Sequence, residues 1–173
     1  NYYKKGNVMK NIYEDKKLFV RDLSRVFSKH LREVDAIKYY KLPNLEVVEI
    51  RYFNGARSYI NVSLNSNEAI AREIIAELSG TGRAVGYISG EESIKRIKDL
   101  ISKEEDTNYE STIDFSKEDI TTTLNTILKL LKAETFENTF KKDLILGMCR
   151  KYSIVPVFNA TGHIAAFKLA AEL

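Results

Sequence analysis

The chain is poor in several residue types, and each shortage excludes a class of protein. Its single cysteine, Cys149, has no partner for an internal disulfide and leaves no cysteine-based zinc site. Two prolines and eight glycines among 173 residues exclude collagen-like and low-complexity chains. No apolar run approaches the roughly 20 residues that span a membrane. We therefore expect a globular protein without membrane contact, in a reducing compartment such as the cytoplasm.

Catalytic and cofactor signatures are equally scarce. The two histidines, His30 and His163, have no ligand-type neighbours at metal spacing. Cys149 follows Met148 in an apolar helical context, which favours burial over nucleophilic catalysis. The glycines of residues 79–90 follow a helix and miss the G-x-G-x-x-G spacing of a dinucleotide loop. The sequence thus favours a non-enzymatic protein without cofactor or metal, and leaves open an active site built from distant residues.

The charges that are present are unevenly distributed. The net charge of +3 is too small by itself to indicate a polyanionic partner. Residues 1–57 nevertheless carry 13 Lys and Arg against 7 Asp and Glu, whereas residues 101–120 carry 2 against 7. Residues 1–17 are polar and lysine-rich without an apolar core, so no signal peptide is expected. A basic front and an acidic connector predict a polarised surface.

The stretch 45–64 predicts the central β-hairpin, with Asn54-Gly55 at its turn. A two-residue turn would mix apolar and polar side chains on both faces. A three-residue loop over 53–55, with Gly55 as the left-handed residue of a bulge, instead places almost all the apolar side chains on one face. Since a one-residue shift reverses both faces, burial favours the bulged form. In that register Arg51 lies opposite Arg57, an unfavourable pair unless solvent or an anion separates the charges.

The segments around the hairpin predict an α-β-β-β-α core. Apolar residues at helical spacing indicate a helix over 13–34, and residues 36–42 form a strand that turns into the hairpin. The cross-strand charge pairs expected from that turn are Lys41 with Glu46 and Lys38 with Glu49. Beyond the hairpin we expect Asn65 to cap a second helix and Ser89 to cap a third, with a short fourth strand over 83–89 between them. The predicted class is α+β with an antiparallel sheet.

The C-terminal third is predicted to be mainly helical. The acidic, polar stretch 105–115 is the candidate linker between an α+β domain over 1–104 and a helical subdomain over 116–173. One helix is expected from Ser116 and a further one from about Phe136 to Tyr152. Residues 154–158 predict a strand. Residues 163–173 fit a returning strand or a helix equally, so a terminal β-hairpin is left open.

Two resemblances concern topology alone. The helix–strand–strand–strand–helix order over about residues 14–80 is similar to that of double-stranded-RNA-binding domains. Those domains carry a lysine cluster at the start of the second helix, where this chain reads Asn65-Ser66-Asn67-Glu68. The family is therefore not assigned. The C-terminal helices and hairpin also fit a winged helix, whose reading helix would carry Lys141, Lys142, Arg150 and Lys151.

Basic and aromatic residues in two groups provide the positive functional signal. The first group is a cationic ridge on one face of the first helix: Arg21, Arg25, Lys29 and Arg32. The second lies on the outer face of the sheet: Lys38, Tyr40, Arg51, Arg57 and Tyr59. Guanidinium and ammonium groups contact phosphates, and aromatic rings stack on bases. The leading hypothesis is a non-enzymatic nucleic-acid-binding or nucleic-acid-associated regulatory protein that uses these residues.

Other interpretations remain open. The ridge is also compatible with a solvated helix face that pairs locally with Asp22 and Glu33. The outer sheet face is also compatible with a face that is covered by the C-terminal helices, or by a second copy in a homo-oligomer. The alternative function is a small protein-interaction module, a regulator or inhibitor from a mobile element, that docks on a larger protein.

Overall fold

The computed structural model describes residues 12–79, 82–104 and 117–172. In chain order its elements are α1 (Ile12–His30), β1 (Val34–Leu42), β2 (Leu45–Tyr52), β3 (Arg57–Asn61), α2 (Asn67–Leu78), α3 (Glu91–Ser102), α4 (Lys117–Tyr152), β4 (Ile154–Phe158), β5 (Ile164–Leu169) and a terminal 3-10 turn (Ala170–Glu172). Strands β1, β2 and β3 form one antiparallel sheet in that order, and β4 and β5 form a second. The predicted α+β class is confirmed.

The register of the central sheet is the one that the burial pattern predicts. Arg51 pairs with Arg57, and Gly55 has a φ of 89°. The amide of Tyr52 donates to the carbonyl of Ala56 at 2.9 Å, which closes the three-residue loop. The β1–β2 charge pairs are also as expected: Lys41 lies opposite Glu46, and Lys38 opposite Glu49.

The inner face of the sheet packs on α1 and α2, and α4 extends the same core. Its buried sheet residues are Ile37, Tyr39, Val48, Ile50, Ile60 and Val62. Aromatic rings continue the core into the C-terminal part, where the ring centroids of Phe27 and Phe140 lie 5.6 Å apart. Residues 117–172 thus share one apolar cluster with residues 12–79. The predicted linker lies outside the described residues, as do residues 1–11 of the polar N-terminal stretch, so the division into two domains stays a prediction.

The outer face of the sheet is covered by α3. Ile97 is buried there against Leu42, Val47 and Tyr59, with Tyr40 and other half-buried residues around this second cluster. The sequence left open that the C-terminal helices cover this face. The face is covered, but by a different helix. The actual cover is α3, whose apolar residues at helical spacing turn towards the sheet.

Two glutamates of α2 hold the segment that precedes α3. The carboxylate of Glu73 accepts the amides of Val85 and Gly86, at 2.9 and 2.7 Å. Glu77 accepts from Arg83 Nη1 at 2.6 Å. These bonds lay the segment along β3 without extending the sheet, and the predicted fourth strand is reduced to one isolated bridge, between Ile60 and Tyr87.

Both predicted helix caps are displaced by one residue. The hydroxyl of Ser66, not the side chain of Asn65, accepts the amide of Ala69 at the start of α2. Helix α3 begins after Gly90, which has a φ of 99° and no side chain to cap with, so Ser89 does not fill that role. In each case two adjacent residues suit a cap, and the backbone path into the helix selects one of them.

The C-terminal part contains one helix where two were predicted. Helix α4 runs unbroken for 36 residues, so the helix pair of a winged helix does not occur. The open choice for the last residues is decided in favour of a strand, because β4 and β5 pair as a hairpin. The side-chain amide of Asn125 on α4 makes two hydrogen bonds with the backbone of Phe167. Its Oδ1 accepts from the N–H at 2.8 Å, and its Nδ2 donates to the carbonyl at 3.0 Å. Within the described residues, no helix is long and apolar enough to cross a membrane.

Candidate nucleic-acid interface

A buried carboxylate lies between the two arginines that oppose each other on β2 and β3. Glu49 accepts from Arg51 Nε at 2.6 Å, from Arg57 Nη1 at 3.3 Å and from the hydroxyl of Tyr59 at 2.8 Å. Its side chain is 1% exposed, whereas those of Arg51 and Arg57 are 28% and 41% exposed. Both arginines therefore have a partner. The carboxylate of Glu49 supplies the anion that the opposed charges were expected to need.

This cluster shifts the pKa of two of its members, Arg51 and Tyr59. Partial burial acts to lower the pKa of Arg51, but the hydrogen bond and charge of Glu49 raise the pKa above its usual value. Burial and the same carboxylate raise the pKa of Tyr59 to about 12. At neutral pH Tyr59 is therefore a neutral phenol and Arg51 a guanidinium cation.

The outer sheet face does not form the expected stacking platform. Tyr59 is fully buried beneath α3, so its ring has no face available to a base. Tyr40 is half-buried in the same cluster, and its hydroxyl accepts from Arg51 Nη2 at 3.4 Å. Lys38 is half-buried opposite Glu49. Of the predicted outer-face set, Arg51 and Arg57 lie beside the hairpin turn, with side chains that are 28% and 41% exposed.

The ridge on α1 is present over part of its predicted length. Arg21 is half-buried, and Arg25 is 66% exposed with Nη1 3.9 Å from Asp22 Oδ1. Because α1 ends at His30, Arg32 lies exposed in the loop that follows it and not on the helix. The side chain of Lys29 lies outside the described set.

The end of α4 adds cationic residues to this ridge. Lys151 Nζ lies 3.3 Å from Asp22 Oδ1, and the hydroxyl of Tyr152 donates to Asp22 Oδ2 at 3.2 Å. Arg150 is exposed one residue earlier. Arg25 of α1 and Lys151 of α4 thus share the carboxylate of Asp22. Of the basic residues that sequence reasoning placed on a winged-helix reading helix, Lys151 contacts α1 and Arg150 is exposed, while the side chains of Lys141 and Lys142 lie outside the described set.

Phe53 is the residue of this region that sequence reasoning missed. It is the first residue of the hairpin loop and its side chain is 68% exposed. Its amide donates to the carbonyl of Glu33 at 3.1 Å, which fastens the hairpin turn to the loop after α1. In the bulged register Phe53 is a loop residue and belongs to neither face of the sheet. That position was the sequence signal for an exposed ring.

The hydrogen bond between Phe53 and Glu33 brings the two predicted basic groups together. Arg32 precedes Glu33, and Arg51 and Arg57 flank the loop that carries Phe53. We call Arg32, Arg51, Phe53 and Arg57 the hairpin-tip surface. Exposed acidic residues, Glu33 and Asp35, adjoin it in the loop and at the start of β1. Its electrostatic potential is therefore local to the arginines and not a broad basic field.

Within the described ranges no group of three or more His, Cys, Asp or Glu is placed to hold a metal. The thiol of Cys149 is buried in the core, which raises its pKa to about 11. His163 Nδ1 lies 3.0 Å from Glu137 Oε2 and joins the β4–β5 turn to α4. Comparison with family models, with curated proteins and with solved structures finds no match for this chain.

Proposed function

We propose that this is a non-enzymatic nucleic-acid-binding protein whose contact surface combines the hairpin-tip surface with the α1 ridge. The observation that supports the proposal is the hydrogen bond from Phe53 to Glu33, at 3.1 Å. It joins the loop that carries an exposed aromatic ring to the residue that follows Arg32, and Arg51 and Arg57 flank that loop in the chain. Arginines that reach solvent beside an exposed ring suit a ligand that alternates phosphates and bases.

The ion pairs within this surface leave it able to bind phosphate. Arg57 and Arg51 each use one nitrogen on Glu49, and a guanidinium carries five N–H donors in a fixed fork. Arg25 lies 3.9 Å from Asp22, at the outer limit of an ion pair, and remains largely exposed. The Arg25–Asp22 pair, with its arginine exposed to solvent, contributes little to stability, so exchange of its carboxylate for a phosphate costs little.

Binding titrations at several salt concentrations test the proposal. The test variant, R25Q/R32Q/R57Q, removes three charges from the surface. The matched control, R72Q/K129Q/K168Q, removes three exposed charges from α2, α4 and β5. Labelled single-stranded and duplex oligonucleotides serve as probes. We expect the test variant alone to bind more weakly, with a salt dependence shallower by about two in logarithmic slope.

Two results would overturn the proposal. One is a lack of binding by the wild-type protein to every oligonucleotide at low salt. The other is an equal loss of affinity in the test and control variants, since binding would then follow total charge and not this surface. Circular dichroism of both variants verifies that the fold is retained.

A second candidate is a protein-interaction module, and two exposed aliphatic side chains favour it. Leu64 is 92% exposed and Val85 is 98% exposed. Both sit on ordered backbone, because their amides donate to the buried carboxylates of Glu46 and Glu73, at 2.8 and 2.9 Å. Co-purification from native lysate after nuclease treatment, with wild type and L64S/V85S side by side, distinguishes this candidate. A partner retained by wild type and lost by the variant supports it.

A further inference from the structure

We infer that the hairpin-tip surface binds unpaired bases, with the ring of Phe53 as a stacking platform, so that single-stranded nucleic acid is the ligand. This rests on the proposed function and specifies its ligand class.

The exposed ring stands on a rigid turn. The amide of Phe53 is bound by Glu33, and the turn is closed on its other side by bonds from Tyr52 to Ala56 and from Gly55 to Tyr52, at 2.9 and 3.0 Å. Most phenylalanines within the described residues are buried in the core: Phe19, Phe27, Phe136, Phe140 and Phe167. Phe53 is presented to solvent by an ordered backbone, so stacking on it demands little further loss of conformational freedom.

Arginines on either side of the ring-bearing loop and next to Glu33 supply the phosphate contacts of this site. Arg57 is the fourth residue after Phe53 and Arg32 precedes the residue that binds its amide. Glu49 holds Arg51 and Arg57 from the buried side, and Arg51 Nη2 also bonds to the hydroxyl of Tyr40. Arg57, whose side chain is 41% exposed, is the more accessible of the two to a phosphate. A nucleotide whose base stacks on the ring has its phosphates within reach of side chains of arginine length.

The geometry favours unpaired bases over duplex. Bases in a duplex already stack on one another and offer an aromatic side chain no free face, whereas bases in a single strand do. The other aromatic residues of the predicted platform are buried or half-buried, so the site presents one ring and not a row of rings. One stacked base per protein molecule predicts little sequence preference, because every base has a π-face.

Substitutions at Phe53 test the inference without risk to the core. F53L keeps an apolar side chain and removes the aromatic ring, whereas F53W keeps and enlarges the ring. Fluorescence anisotropy with labelled (dT)12 and with a 12-base-pair duplex measures both ligand classes at low salt. We expect F53L to bind (dT)12 about tenfold more weakly than wild type, the loss typical of one stacked base, and F53W to bind as wild type does. Duplex binding should be the same for all three proteins.

Tryptophan fluorescence gives an independent readout, because the wild-type chain contains no tryptophan. The emission of F53W then reports on position 53 alone, and stacking on a base should quench it at saturation with (dT)12. R32Q/F53W/R57Q should require more (dT)12 to reach saturation and should be quenched to the same final extent.

The outcomes separate this inference from the proposed function. If no oligonucleotide binds the wild-type protein, both fall. If binding is salt-dependent but F53L and wild type bind (dT)12 equally, or if the emission of F53W is unchanged at saturation, the stacking site is overturned and the proposed function stands. A loss in F53L that is equal for (dT)12 and duplex also overturns the preference for unpaired bases.

Discussion

Arg51 and Arg57 face each other across the β2–β3 pair and share one carboxylate, that of Glu49. Like charges directly opposed across a sheet are destabilising, and the shared carboxylate reverses the sign of the interaction. All three side chains lie on the outer face of the sheet. Residues 49 and 51 are two apart on β2 and so share a face, and Arg57 on β3 is paired with Arg51. This cluster supports the hairpin tip from the buried side.

The first prediction concerns Glu49. E49Q removes the buried charge while a polar group remains to accept from Tyr59, and both arginines are left without their shared anion. We expect the free energy of unfolding to fall by about 2 kcal/mol, the usual contribution of hydrogen bonds to a charged group. R57Q should cost less than about 1 kcal/mol, because Arg57 is 41% exposed and its bond is long. Urea unfolding followed by circular dichroism measures both. Equal losses in the two variants would contradict a central role for Glu49.

The second prediction concerns a buried ion pair on the opposite face. Lys16 Nζ lies 2.7 Å from Glu46 Oε1, and Glu46 also accepts from Tyr39 and from the amide of Leu64. Loss of either partner strands a buried charge, so K16M should destabilise the protein by about 3 kcal/mol. The double variant K16M/E46Q should be more stable than the sum of the two single effects predicts. A double-mutant cycle in urea measures the coupling, and strictly additive losses would argue against it.

The third prediction concerns Gly86, which lies against β3. A Cβ at this position would overlap the carbonyl of Asn61, whose amide donates to the carbonyl of Gly86 at 2.7 Å. G86A should therefore destabilise the protein by about 1–3 kcal/mol, the range for steric overpacking. Gly82 is the matched control, since a Cβ there meets nothing within 4 Å and its φ is not in the left-handed region. G82A should be neutral or slightly stabilising in thermal unfolding. A similar loss in both variants would rule out the close contact.

The fourth prediction concerns acid sensitivity. The hydrogen bond from His163 and the amide of Ile164 hold the pKa of Glu137 below its usual value of 4.5. A carboxyl whose pKa is lowered on folding stabilises the protein above its unfolded pKa, and this contribution is lost as the pH falls through the folded value. Wild type should therefore lose stability below about pH 4.5 more steeply than E137Q. Denaturant midpoints between pH 3 and 6 measure the difference, with E104Q, at the exposed end of α3, as control. Parallel curves for wild type and E137Q would contradict the prediction.

Local patterns were sufficient for the central sheet. The alternation of apolar residues on either side of Asn54-Gly55 selected one of two registers, and the structure has that register down to the Arg51–Arg57 pair. The same alternation assigns Glu46 inward and Glu49 outward. Their burial was missed because charged residues are buried only when paired, and the pairing partners come from other elements: Lys16 on α1 and Tyr59 on β3.

The C-terminal part shows where local patterns were read wrongly and where they were insufficient. Between Lys117 and Leu146 the chain contains no glycine or proline, so one long helix was the simpler prediction. For the last strand the alanines of Ile164–Leu169 favour a helix, and tertiary contacts override them. Phe167 is held there by Asn125 and by the ring of Phe136, whose centroid is 5.6 Å away.

The sequence by itself determined the α+β class, the strand register and the two sets of basic residues, because side-chain periodicity and turn chemistry act over short separations. The tertiary structure alone decided which of those residues are exposed and which lie next to one another. It buried Tyr59 under α3, placed Lys151 beside Arg25 through Asp22, and bonded Phe53 to Glu33 next to Arg32. Each of these contacts joins elements that are distant in the chain, and packing of the whole core decides which faces meet.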